Sequence, residues 1–128
     1  MTMNGRFVVA FEETLRNDLD RRILIKLLEA DREVRYEELR KAVEEKSSQT
    51  FKYAIDRLMR HAAMNRRLEE QGDRYLTHFS PTPRGKQIAL ILVNLGQRGS
   101  LPPDIPIQVK KDVQRVFLGS VPPDAASA

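Results

Sequence analysis

The sequence predicts a mainly α-helical fold with a small β-hairpin. Apolar residues recur at helical spacing in several stretches, and capping signals stand at the starts of these stretches. In addition, Gly72-Asp73 separates two stretches that have partial strand character. A length of 128 residues corresponds to one domain, or to a small domain with extensions.

The first predicted helix starts at Asn17 or Asp18, either of which can cap a helix, and runs to about Ala30. Its apolar positions are Leu19, Ile23, Leu24, Leu27 and Leu28. The preceding segment RFVVAF is apolar, β-branched and aromatic. Residues 1–17 are therefore expected to form a short strand or an arm that packs on a partner.

A second, shorter helix is predicted over RYEELRKAVEEK, and Ser47 or Ser48 can cap a third helix that begins at Gln49. The apolar face of the third helix carries Phe51, Ile55 and Leu58. Its other face carries Gln49, Lys52, Tyr53, Asp56, Arg57 and Arg60. Three short helices with a tight second connection predict a helix-turn-helix.

The hairpin is expected to have its tip at Gln71-Gly72-Asp73. The last helix starts at Thr82-Pro83, because proline lacks the N–H that would have no partner at that position. This helix is apolar nearly all round, so it has to be covered on more than one side. A second copy of the chain is the preferred cover, and an internal core position under the tail is the alternative. The predicted dimer interface consists of Ile88, Ile91, Leu92 and Leu95.

Residues 98–128 are predicted to contain a Gly- and Pro-rich linker, a short amphipathic helix and a disordered tail. The chain has no long apolar signal segment and no apolar run of about 20 residues, so a soluble cytoplasmic protein without membrane contact is expected.

Basic residues concentrate in one part of the chain. Residues 47–86 contain eight Lys or Arg and four Asp or Glu, whereas residues 12–46 contain nine and eleven. A local basic field attracts polyanions and speeds their encounter with the protein. Many soluble proteins are mildly basic, so charge alone does not identify the partner.

Neither an enzyme nor a cofactor is expected. The absence of cysteine excludes disulfides, thiol nucleophiles and Cys-based metal sites. His61 and His78 fit surface or partly packed positions better than a metal pair, because three convergent ligands are not supplied. The sequence also contains no Gly-rich phosphate loop and no nucleophile elbow.

Helix, helix, helix and hairpin follow one another as in a winged helix. The stretch from about 18 to 95 resembles winged helix-turn-helix transcriptional regulators, in the broad sense that includes MarR-like, HxlR-like and PadR-like proteins. The resembling phrases are SSQTFKYAIDRL, GDRY and SPTPRGKQI. The resemblance implies a winged helix-turn-helix over 18–80, which the predicted dimerisation helix over 81–97 follows. Where the family usually has a glycine after its recognition helix, this chain has His61-Ala62-Ala63-Met64.

The resemblance implies a homodimeric, sequence-specific regulator that binds double-stranded DNA. Residues 47–61 would lie in the major groove, and a wing at about 66–79 would contact the backbone or the minor groove. Gln49 can pair with adenine and Lys52 can donate to guanine, while Arg74 best matches the family's wing arginine. The expected DNA-binding residues are Ser48, Gln49, Thr50, Lys52, Tyr53, Arg57, Arg60, Arg66, Arg67 and Arg74.

Two other functions stay open at this stage. A winged helix can serve as a protein-interaction module without DNA readout, because fold alone does not decide function. Binding of RNA or single strands is less favoured, because aromatic residues are few, with Tyr53 and Tyr75 near the basic segment. The sequence identifies no small-molecule effector.

Overall fold

The computed structural model describes residues 5–98, which form five helices and one three-stranded antiparallel sheet. In chain order the elements are α1 (Gly5–Arg16), α2 (Asp18–Ala30), β1 (Val34–Arg35), α3 (Tyr36–Ala42), α4 (Ser48–Arg60), β2 (Met64–Gln71), β3 (Arg74–Pro81) and α5 (Pro83–Arg98). The mainly α-helical prediction with a small hairpin is confirmed. The short helix and tail that the sequence predicts after residue 98 lie outside the described residues.

The N-terminal segment is a helix and not the strand or arm that its composition suggested. Phe7, Ala10, Phe11 and Thr14 are buried at helical spacing, and the rings of Phe7 and Phe11 stack with centroids 6.1 Å apart. The β-branched and aromatic content of RFVVAF is therefore overridden by a spacing that puts its apolar side chains on one face. This face packs α1 against the rest of the core.

The helix starts are set by local chemistry at two of the three predicted caps. The hydroxyl of Ser47 accepts a hydrogen bond from the N–H of Thr50 at 3.1 Å, which caps α4 as expected. Thr82 caps α5 in the same way. Asn17 occupies the position before α2, but its side chain makes no capping hydrogen bond and donates instead to the carbonyl of Glu13 at 2.9 Å.

Helix α4 ends in a turn that replaces the glycine expected after it. Ala62 adopts a left-handed conformation with φ +55°. The N–H of Ala63 donates to the carbonyl of Leu58 at 2.9 Å, and the N–H of Ala62 donates to that of Met59 at 3.0 Å. These two bonds form a Schellman motif, in which glycine is the usual residue at the left-handed position. The chain makes the same turn with alanine, at a cost in conformational energy.

The sheet has the strand order β1-β3-β2. The hairpin of β2 and β3 turns through two residues, from Gln71 to Arg74, with Gly72 at φ +63° as a tight hairpin turn requires. Strand β1 is only two residues long and pairs with β3, Val34 opposite Phe79. Sequence patterns did not predict this strand, because two residues carry no periodicity.

Helix α5 packs into the core of the single chain. Ile88, Ile91 and Leu92 are buried in one cluster with residues of α2, α4 and the sheet, and Leu95 is partly buried against it. This corresponds to the internal core position that was the alternative to a dimer. Cover by a second copy is therefore not needed to bury Ile88, Ile91 and Leu92, and these three side chains are not available as a dimer interface.

Gly85 lets α5 approach the turn after α4. A Cβ atom on Gly85 would lie 1.9 Å from the carbonyl oxygen of Ala63, which is far inside any allowed contact. The approach is fixed by the Thr82 hydroxyl, which donates to the carbonyl of Ala62 at 2.6 Å and accepts from the N–H of Gly85 at 3.0 Å. The turn at 61–63 and the start of α5 thus form one braced unit.

Candidate nucleic-acid interface

Helix α4 is fixed by one face and exposes the other. Phe51, Ala54, Ile55 and Leu58 are buried, and the Phe51 ring meets the Tyr36 ring edge-on with centroids 5.0 Å apart. The opposite side of the helix is a polar stripe that runs its full length. The exposed residues of this stripe are Gln49, Lys52, Tyr53, Asp56 and Arg60.

The first turn of α4 offers backbone and side-chain donors to solvent. Ser48, Gln49 and Thr50 are exposed, as a contact with a large partner requires. The N–H of Thr50 already donates to Ser47, so the N–H groups left without a helical partner in this turn are those of Ser48 and Gln49. Two such groups at the positive end of a helix dipole can bind a phosphate oxygen.

Gln49 is held in place by its neighbour one turn along the helix. Its amide Nε2 lies 2.9 Å from the hydroxyl of Tyr53 and donates to it. The second N–H of the amide and the carbonyl oxygen remain for a ligand. A carboxamide presented in this way has the donor and acceptor pair that a bidentate contact with adenine uses.

Arg57 does not belong to the exposed stripe. Its guanidinium donates to the carboxylate of Asp20 on α2, from Nη2 to Oδ1 at 2.8 Å and from Nε to Oδ2 at 3.1 Å. Asp20 is 1% exposed, and its burial raises the pKa of its carboxyl although Arg57 opposes the shift. The pair joins α4 to α2, so Arg57 is a structural residue and not a free DNA contact.

Of the three arginines on the hairpin, Arg67 already has acidic partners. It forms a bidentate pair with Glu33, at 2.7 Å from Nη2 to Oε1 and 2.8 Å from Nε to Oε2. These hydrogen bonds lower the pKa of the Glu33 carboxyl. Arg66 and Arg74 are exposed and have no hydrogen bond or ion pair to any of the described residues. Of the three hairpin arginines, therefore, Arg66 and Arg74 are available to an anionic partner.

The hairpin also exposes apolar side chains. Leu68 is 57% exposed and Tyr75 is 67% exposed. Leu68 pairs with Thr77 and Glu70 pairs with Tyr75, so Leu68 and Tyr75 are diagonal neighbours on one face of the hairpin. Tyr53 on α4 is a third large side chain that is half-exposed.

The two histidines lie apart, His78 in β3 and His61 at the end of α4. His78 is buried in the sheet with its Nε2 atom 2.9 Å from a Glu69 carboxylate oxygen, whereas His61 caps the end of α4. Over residues 5–98 there is no group of three or more His, Cys, Asp or Glu side chains that could hold a metal ion. Within the same range, no helix is both long and apolar enough to cross a membrane.

Comparison with known proteins does not add a relative. The chain matches no family model, no curated protein and no solved structure.

The sequence predicts Arg57 and Arg67 as part of the interface, but their acidic partners, Asp20 and Glu33, come from distant parts of the chain. The position of Asp20 in the sequence does indicate that it needs a partner. It lies three residues before Ile23 and four before Leu24, which places it on the apolar stripe of α2. A carboxylate on a buried helix face needs a cationic partner, and only the fold shows that the partner is Arg57. For Glu33 no comparable signal exists, because it lies in a loop.

Proposed function

We propose that this protein is a winged helix-turn-helix transcriptional regulator that binds double-stranded DNA in a sequence-specific manner. The observation that carries the proposal is the state of α4, which is held by a buried apolar face and leaves a polar stripe open along its length. The element order α2, β1, α3, α4, β2, β3 and the sheet order β1-β3-β2 are compatible with a winged helix.

In this function α4 lies in the major groove and its first turns contact base edges. Gln49, oriented by Tyr53, pairs with adenine, and Lys52 donates to guanine or to a nearby phosphate. A good bidentate contact contributes about 1–3 kcal/mol of discrimination against the wrong base. The N–H groups of Ser48 and Gln49, together with the Thr50 hydroxyl, position the helix on a phosphate.

The remaining cations position the protein on the duplex. Arg60 at the end of α4 and Arg66 and Arg74 on the hairpin are exposed, as phosphate contacts must be. Arg57 and Arg67 are left out of this set, because each is committed to a carboxylate. Each phosphate contact contributes about −0.9 to the slope of log affinity against log salt concentration.

A homodimer remains part of the proposal, since paired recognition helices bind two half-sites about one turn apart. Its interface has to use side chains other than Ile88, Ile91 and Leu92. Leu90 is 49% exposed on α5 and is the large apolar side chain that this helix presents to solvent. A cytoplasmic location follows from the proposed function.

The test is selection of bound duplexes from a random pool, followed by affinity measurements on the selected site over a range of salt concentrations. Gln49→Ala should relax sequence choice with little change in the salt slope. Arg74→Gln should reduce the magnitude of the slope by about 0.9 without changing sequence choice. Arg32→Gln is the matched control, because Arg32 is exposed but paired with Glu38. Absence of duplex binding at low salt would contradict the proposal.

A protein-interaction module is the second candidate, and the exposed Tyr53, Leu68 and Tyr75 favour it. Aromatic side chains are enriched in protein interfaces. Asp56, in the middle of the α4 stripe, is exposed and acidic, so it repels phosphate. Tyr75→Ser and Leu68→Ser distinguish the two functions. Both substitutions should leave duplex binding within about twofold if the protein is a DNA reader. Loss of a protein partner in these two variants, with no duplex binding by the unmodified chain, would favour the module.

A further inference from the structure

The arginines of this chain fall into two groups by their partners. Most of those in the described part of the chain form hydrogen bonds or ion pairs with carboxylates. The paired ones are Arg16, Arg21, Arg22, Arg32, Arg40, Arg57 and Arg67. The side chains of Arg6, Arg35, Arg60, Arg66, Arg74 and Arg84 have no ion pair with a carboxylate of the described residues. Arg66 and Arg74 lie on the hairpin and Arg35 lies in β1, whereas Arg6, Arg60 and Arg84 lie close together.

Arg6, Arg60 and Arg84 line one cleft between α1, the end of α4 and the start of α5. Its volume is about 440 Å³, within the range of about 300–1,000 Å³ that small-molecule sites occupy. The remaining lining residues are Gly5, Val9, His61 and Ala62. None of the described residues that line it is acidic. Three arginines thus line a shared space, and no described residue that lines it carries a carboxylate to neutralise their charge.

The floor of the cleft is held by hydrogen bonds. Arg84 donates from Nη1 to the carbonyl oxygen of His61 at 2.8 Å, which orients its guanidinium and leaves its other N–H groups for a ligand. His61 and Ala62 belong to the Schellman turn, and Thr82 and Gly85 brace this turn against α5. Because Arg84 is already oriented, its side chain loses less conformational entropy when a ligand binds.

We propose that this cleft is a binding site for a phosphate group. A guanidinium presents planar, paired donors that match the oxygens of phosphate, and arginine is preferred over lysine where such bidentate recognition is needed. The half-exposed Val9 at the rim offers an apolar contact to whatever the phosphate is attached to.

The phosphate can come from two sources. One is a free phosphate or a small phosphate ester, whose binding requires no DNA and goes beyond the proposed function. The other is a backbone phosphate of a bound duplex. Arg60 lies on the same exposed stripe as Gln49, eleven residues along α4, which is about 16 Å at 1.5 Å per residue. In that case the cleft is a continuation of the proposed DNA surface. This second source of the phosphate rests on the proposed function.

The experiment compares the full chain with the double variant R6Q/R60Q. Inorganic phosphate is titrated at constant ionic strength while backbone amide signals of residues 61–63 and 84–85 are followed by NMR. Duplex affinity is measured separately against salt concentration. The variant R16Q is the control, because Arg16 lies on the same helix as Arg6, is exposed and is paired with Glu12. Thermal unfolding verifies that the exposed substitutions leave the fold intact.

Saturable phosphate shifts at these amides, weakened at least tenfold in R6Q/R60Q and unchanged in R16Q, support a free phosphate ligand. Absence of such shifts, with a salt slope on duplex smaller in magnitude by about 0.9 in R6Q/R60Q than in R16Q, supports a backbone phosphate. If R6Q/R60Q behaves like R16Q in both measurements, the phosphate site is wrong. Absence of duplex binding by the unmodified chain would contradict the DNA function. The phosphate titration would then still show whether the cleft binds phosphate.

Discussion

Replacing Arg57 by alanine tests whether this residue is structural, as its contact with Asp20 indicates. The substitution removes two charge-assisted hydrogen bonds and leaves a carboxylate with 1% exposure unpaired. Breaking a buried ion pair from one side costs about 3–5 kcal/mol. The Arg57 side chain keeps 28% of its exposure, so water has some access to the pair. We therefore expect a loss of about 3 kcal/mol in the free energy of unfolding at pH 7.

The loss should depend on pH in a defined direction. Burial raises the pKa of Asp20 above its ordinary value of 3.8, and Arg57 opposes this shift. Without Arg57 the pKa of Asp20 rises further, so the folded protein holds its proton more tightly than the unfolded chain. The destabilisation is largest above the raised pKa and diminishes as the pH falls through it towards the ordinary value. Adding Asp20→Asn to Arg57→Ala removes the buried charge and should recover part of the loss at pH 7.

The assay is urea denaturation of Arg57→Ala and of its matched control Arg60→Ala between pH 4 and pH 7. Arg60 is exposed one turn further along α4, and its substitution should change the unfolding free energy by no more than about 0.5 kcal/mol. In duplex binding we expect the opposite sensitivity of the two variants. Arg60→Ala should reduce the magnitude of the salt slope, whereas folded Arg57→Ala should leave it unchanged. Equal stability of the two variants would refute the structural role of Arg57.

Three further substitutions test the turns and caps, each by urea denaturation. Ala62→Gly should stabilise the protein by about 1 kcal/mol, because it removes the cost of a left-handed alanine; destabilisation would show that this cost is absent. Gly85→Ala should destabilise it by about 1–3 kcal/mol or more, because the new Cβ would collide with the Ala63 carbonyl; an unchanged midpoint would contradict the close approach. Ser47→Ala should cost about 1 kcal/mol by removing the cap on the Thr50 N–H, whereas Ser48→Ala, which removes no cap, should cost less.

Helix boundaries and the hairpin turn were predictable because their signals are local. Ser47 and Thr82 stand next to the backbone groups they cap, so the chain specifies these starts whatever surrounds it. Gly72 supplies the left-handed conformation that a two-residue turn requires. The apolar face of α4 follows from the spacing of Phe51, Ile55 and Leu58. The polar stripe of the candidate interface follows from the same periodicity.

The partners of side chains could not be predicted, because they come from distant parts of the chain. Arg57 meets Asp20 across 37 positions and Arg67 meets Glu33 across 34, and no sequence spacing encodes either distance. A list of basic residues therefore overstates how many cations are free to bind an anion.

The sequence by itself determined the order of α2, α3, α4, hairpin and α5, since each depends on local periodicity, capping and turn chemistry. Only the tertiary structure decided that α5 is covered within one chain, that the N-terminal segment packs as α1, and which arginines remain unpaired. These outcomes depend on which surfaces meet once the elements pack. A one-dimensional pattern does not contain that information, because burial and ion pairing depend on distances in space.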